Sequence, residues 1–254
     1  MKTLRIERRD ALALLRMDKA RGNAIDAALL EDLIEASRDL AGDRSVKAVL
    51  LASAHPRLFS PGLDLVSLVE LDRGGMETFM ARFGEVMMAL YDLPKPMVAA
   101  VNGHAVAGGC ILALTADYRL LKRGAQIGLN EVKIGVPLPW SVSVLLRASV
   151  PPSSLSKVAL LGRNFADDEA LRAGLADEVA DADGFEAACL DRLQEFAEKD
   201  TQALATTKRY LRQDVLRAMK ANEDAFAKDF LDGWFSEPTR ERIRQTVASL
   251  SAKG

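Results

Sequence analysis

The chain has 254 residues, 49 % of them hydrophobic, with 34 basic against 36 acidic side chains and a formal net charge of -2. That content fills a sizeable core and excludes a disordered chain, and the length suits one large α/β domain or two small ones. The balanced charge supplies no global field for nucleic acid or anionic lipid, and two cysteines far apart in sequence make no disulfide framework, so reduced thiols in a cytosol or organelle matrix are expected.

The opening MKTLRIERRD alternates apolar and charged residues and lacks the apolar core of a signal peptide, which points to a cytoplasmic protein. Leu4 and Ile6, then Leu12 and Leu14, alternate with polar or small residues and predict a hairpin turning near Asp10. Asp26 is a candidate cap for a helix whose Leu30, Leu33 and Ile34 share a face with residues 37–40. Residues 46–52 then read as a buried strand, 75–93 as a helix stopped by Pro94 and Pro96, and 97–101 as a second buried strand.

Residues 97–116 carry no acid, Lys or Arg and are about as long as a membrane span. Asn102, Gly103, His104, Gly108 and Gly109 interrupt them, so strand, turn and helix (111–116) is the reading and no membrane partner is expected. A strand over 118–122 continues the alternation, which favours parallel α/β geometry. Short helices follow over 154–161 and from a cap at Asp167, with a last strand over 175–179.

Residues 184–250 read as helix almost throughout. Phe226, Phe230, Leu231, Trp234 and Phe235 make a cluster richer than a lone surface helix needs, which fits either a tail folded on its own core or a subunit contact covering a ligand. With no repeat or linker in view, the expected organisation is a core over 1–183 and a helical extension over 184–254.

Two glycine turns carry the chemistry. Ser60-Pro61-Gly62-Leu63-Asp64 and Ala107-Gly108-Gly109-Cys110 each follow a strand-like run and precede a helix-like one, and Glu131 lies downstream. The first N–H groups of a helix have no intrahelical partner, so two such starts brought together offer two donors to an oxygen on which charge develops. Asp64 is expected to cap the helix after it, and Asn130 to steady either the base or the substrate.

Other motifs are set aside. Gly103 to Gly108 has the glycine spacing of a phosphate loop but continues Gly-Cys in place of Lys-Ser/Thr. His55 and His104, the only histidines, sit in no metal-ligand pattern, so neither a zinc site nor a serine triad is expected. Cys110 reads as a small buried thiol, and Lys19 and Arg21 as ordinary surface charge or as partners of a phosphate.

FSPGLDL at 59–65, AVNGHAVAGGCILALTADYRL at 100–120 and IGLNEVKIGVPLP at 127–139 resemble, in order and spacing, the crotonase or enoyl-CoA hydratase/isomerase superfamily. The resemblance implies a spiral of stacked ββα units with a trimerising helical extension. It also implies acyl-CoA substrates and a homotrimer or dimer of trimers, with CoA entering as part of the substrate and no cofactor or metal. It places the oxyanion donors on the Leu63 and Gly108 amides, with Ser60, Pro61, Gly62, Asp64 and Asn130 beside the substrate, and the acid on Glu131.

The family's first acidic position is occupied here by Ile111, which cannot exchange a proton. The strings AGGC, ALTADYR and IGLNE are similar to mitochondrial Δ3,Δ2-enoyl-CoA isomerases, which work with a single glutamate. The expectation is therefore an isomerase that shifts a 3-enoyl-CoA double bond to the 2 position. The alternatives are a hydratase, thioesterase or decarboxylase of the same fold, or a non-catalytic acyl-CoA-binding protein.

Overall fold

The computed structural model describes residues 1–221 and 223–251. Strands β1 (Leu4–Arg9) and β2 (Leu12–Met17) form the expected antiparallel hairpin, with Asp10 at φ 52° in the turn. A short turn, α1 (Ala20–Asn23), leads into α2 (Ala27–Gly42), where the Asp26 carboxylate accepts the Leu29 N–H at 3.0 Å as a cap should. Asp26→Ala is expected to lower stability by about 1 kcal/mol, read as a shifted urea midpoint at unchanged slope.

The chain then repeats one move. Strand β3 (Ala48–Ser53) enters a large sheet, β4 (Leu58–Ser60) a small one, and helices α3 (Leu65–Leu68) and α4 (Arg73–Tyr91) return the chain. Strands β5 (Met97–Val101) and β6 (His104–Val106) with α5 (Gly108–Leu114) do the same. Strands β7 (Tyr118–Lys122) and β8 (Gln126–Gly128) follow, with a 3-10 turn at Glu131–Ile134 and then α6 (Trp140–Ser149). After a 3-10 turn at Pro152–Ser154 come α7 (Leu155–Ala159), β9 (Phe165–Ala166), α8 (Asp167–Ala173) and β10 (Glu178–Ala180). The large sheet runs β1-β2-β3-β5-β7-β10 and the small one β4-β6-β8-β9, so the expected ββα spiral is present.

Four helices complete the described residues: α9 (Phe185–Ala197), α10 (Thr201–Ala221), α11 (Glu223–Phe235) and α12 (Glu237–Ser251). Helix α9 lays Phe185, Cys189 and Leu193 on the outer face of the large sheet against Leu14, Leu50 and Val98. Further on, Met219, Phe230, Leu231, Trp234 and Ile243 join the main core on the sheet's other side. The aromatic cluster thus folds onto its own chain.

Helix α10 is anchored by charge. Asp117 takes Lys208 Nζ at 2.6 Å and Arg212 Nη2 at 2.7 Å, while Arg212 also donates to the Tyr91 and Thr115 carbonyls. All three side chains are largely out of water, and mutual pairing is what makes that tolerable.

Two expected caps are corrected. Asp167 occupies the first position of α8 with φ 47°, and its Oδ1 accepts the Gly124 N–H at 2.8 Å in place of a helix amide. Asp64 precedes α3 without a side-chain cap bond, because its carboxylate faces Arg21 Nη1 at 3.3 Å. The last strand also starts later than expected, at Glu178.

Candidate active site

The two glycine turns meet. Ile25 bridges the first, donating to the Gly62 carbonyl at 2.8 Å and accepting from the Asp64 N–H at 2.9 Å. Because Ile25 takes the backbone groups on either side of Leu63, the Leu63 N–H points to the opposite side of that strand. Gly62, at φ 96°, lies so close to α5 that a Cβ there would stand 3.0 Å from the Gly108 nitrogen. A Cβ on Gly109 would be 2.2 Å from the Ser60 carbonyl oxygen. Glycine is required at these positions because backbone abuts backbone.

Gly108 is the first residue of α5, so its N–H has no acceptor within the helix. What aims it is Ala107, held at φ 50° and ψ -123°. That conformation costs a non-glycine residue about 1–3 kcal/mol. The Ala107 N–H is fixed at 2.9 Å on the Gly128 carbonyl, which ties this turn to the segment bearing Glu131. The sequence places Ala107 in this turn but gives no sign of its positive φ, since an alanine rarely adopts one.

A cavity of about 830 Å³ opens beside these turns, and Pro61, Leu63, Asp64, Gly108, Asn130 and Glu131 all line it. Ser60 and Gly62, expected beside the substrate, do not. The buried Ser60 hydroxyl donates to the Asn23 carbonyl at 2.8 Å and accepts the Gly62 N–H at 3.2 Å, so it braces the turn from behind. Lys19 and Arg21 reach the cavity, paired with Asp26 at 3.1 Å and Asp64 at 3.3 Å respectively.

Glu131 starts a 3-10 turn closed by Gly135, whose carbonyl accepts from Thr239 Oγ1 of α12 at 3.1 Å. Its Oε2 is buried with no hydrogen-bond partner. Ile111, Ile134 and Val136 line the same cavity. Loss of water outweighs the two backbone N–H groups near the carboxyl, those of Glu131 itself and Asn130, and raises its pKa to about 7. A carboxyl poised there can both take and return a proton at neutral pH.

Cys110 is fully buried, and burial pushes its thiol above the usual range, which removes it as a nucleophile. Among the described residues no three His, Cys, Asp or Glu side chains gather as metal ligands, and no helix is long and apolar enough to cross a membrane.

Residues 7–245 match the family described as enoyl-CoA hydratase/isomerase. The chain belongs to that family. Its three glycine and glutamate segments all fall within the match. Human mitochondrial enoyl-CoA delta isomerase 1 is 27 % identical over 222 residues, covering 87 % of this chain and 74 % of the human one. The matched part spans 60 % of the rat counterpart.

Carnitinyl-CoA dehydratase of Escherichia coli K12 is 29 % identical over 198 residues, 78 % of this chain and 74 % of that one. The crystal structure of human mitochondrial delta3-delta2-enoyl-CoA isomerase superposes with a TM-score of 0.94 at 24 % identity, covering 99 % of each chain, and shares the crotonase fold. An enzyme of this family acts on acyl-CoA thioesters.

Proposed function

We propose that this enzyme isomerises 3-enoyl-CoA to 2-enoyl-CoA, with Glu131 as the only proton carrier and the Leu63 and Gly108 amides as the oxyanion hole. Glu131 removes a proton from C2, charge moves through the thioester carbonyl onto its oxygen, and the two amides stabilise the resulting dienolate. The same carboxyl then returns the proton at C4, so the substrate's atoms are conserved and nothing else is consumed.

One observation carries this reading. The cavity holding both turns contains a desolvated carboxyl and, where a second acid would sit, the buried side chain of Ile111. Hydration needs a water to be both held and activated while the neighbouring carbon is protonated, and isoleucine contributes to neither.

The likeness to a dehydratase favours a second reading, in which water is added or lost with Glu131 alone. Supplying a 3-enoyl-CoA and separating the products decides between them. The conjugated 2-enoyl thioester is expected as the main product. Predominant 3-hydroxyacyl-CoA establishes the hydratase instead, and acyl-CoA binding without turnover establishes a binding protein.

The base must be ionised to act, so kcat/KM is expected to rise tenfold per pH unit on the acid side and to level off above a midpoint near 7. A profile already flat between pH 5 and 6 would contradict the desolvated carboxyl.

A homotrimer, with a dimer of trimers as the larger assembly, remains part of the proposal. Sedimentation of the purified protein tests it, and a monomer at micromolar concentration would refute it.

A further inference from the structure

A second cavity, of about 290 Å³, lies between α4 and α11. Met80, Phe83, Pro139 and Phe230 line both cavities, so these four side chains form the wall between them. On α4 the second cavity is bordered by Glu77, Ala81 and Gly84, spaced four and three residues apart and hence on one face. Ala81 and Gly84 are small, which leaves a trough along the helix. Phe226 and Leu231 of α11 stand opposite, and Trp140 stacks on Phe226 with ring centroids 4.7 Å apart.

The wall has one movable part. Phe83 and Phe230 are buried within the main core, while Met80 is only partly buried and unbranched, with rotatable bonds that let it swing aside. Glu77, the charged side chain in the lining, is exposed and stands at the rim. Inside, the lining is chiefly hydrocarbon and aromatic ring, with the buried Ser141 at the start of α6 beside it.

We infer that the distal end of the acyl group passes Met80 and lies in this second cavity, making the enzyme one for long acyl chains. The inference rests on the isomerase reading for the position of the double bond but not for the path of the tail. Short thioesters occupy the first cavity alone. Longer ones displace Met80 and bury further methylenes along Ala81 and Gly84.

The test uses saturated acyl-CoAs, which have no double bond and therefore report the tail separately from the reaction. Dissociation constants for butanoyl-, octanoyl-, dodecanoyl- and hexadecanoyl-CoA are measured by calorimetry. Affinity of the wild type is expected to keep rising beyond octanoyl, by up to about fourfold per methylene buried.

Ala81→Phe places a ring in the trough from the exposed side of α4, and the rise is expected to stop near octanoyl. Met80→Ala thins the wall and is expected to steepen the dependence. The same series in wild type and both variants would overturn the inference, as would a wild-type affinity that stops rising at octanoyl. A series that responds as described in a protein unable to convert any 3-enoyl-CoA would instead remove the isomerase reading and leave the tail path standing.

Discussion

Replacing Glu131 by glutamine is expected to lower turnover of a 3-enoyl-CoA by about 10²–10⁴-fold, the usual contribution of a positioned acid or base, while acyl-CoA binding persists. Glutamine keeps the shape of the side chain and its place at the start of the 3-10 turn, but it cannot carry the proton. The same substitution is expected to stabilise the fold, and the sign follows from the raised pKa.

A carboxyl that titrates near 4.5 when solvated and near 7 in the folded chain binds more protons folded than unfolded between those values. Its contribution to stability is whole below pH 4.5 and is lost as pH climbs through 7. Above that, the folded protein carries a desolvated charge costing on the order of 3 kcal/mol. Glutamine never ionises, so the gain over wild type should be small at pH 5 and largest at pH 8. Urea midpoints at the two values measure it. An equal difference at both would show that the carboxyl is solvated and would withdraw the physical basis of the shuttle, even if activity were lost.

Such an exchange of stability for activity is expected where a charge is held away from water for chemistry. Apolar lining from Ile111, Ile134 and Val136 in the same cavity contributes to this, and the bracing of Gly135 by Thr239 keeps the segment in place.

The long elements were legible in the sequence because they repeat a period often enough to be seen. α2, α4 and the strands β3, β5 and β7 appear within a few residues of where the spacing puts them. The strands of the small sheet were not legible. β4, β6 and β8 have three residues each, too few for an alternation to show, yet β4 and β6 lead directly into the two turns that offer amides.

Asp64 and Asp167 illustrate a different limit. An aspartate before a helix is a fair cap by local rules, but Arg21 and the Gly124 amide, both some 43 residues away, take the two carboxylates instead. The aromatic cluster of α11 was visible as a cluster, and its destination was not, since nothing local says that Phe230 and Trp234 will close a cavity begun by Leu63 and Gly108. Glu131 stood out only through the motif around it. Its desolvation is a product of chain segments that meet only in the folded protein.

Gly109→Ala is expected to be strongly damaging to activity, for a reason different from the loss of the base. The added Cβ would stand 2.2 Å from the Ser60 carbonyl oxygen and 2.9 Å from the Ser60 carbonyl carbon. Both are main-chain atoms, so no side-chain rotation relieves the clash. Either α5 or the turn after β4 must move, and the movement separates the Leu63 N–H from the Gly108 N–H. With one donor lost to the oxyanion, the rate should fall about 10²–10³-fold.

Glu131 itself is intact in Gly109→Ala, so the pH–rate profile should keep its acid limb while the plateau drops. In Glu131→Gln the plateau and the limb both vanish. Gly74→Ala serves as the control, because that glycine lies at the exposed start of α4 and the nearest atom to its added Cβ is 3.9 Å away. If Gly109→Ala and Gly74→Ala turned over substrate alike, the two amides would not be the groups that hold the developing charge, and the dienolate oxygen would have to find its donors elsewhere in the cavity.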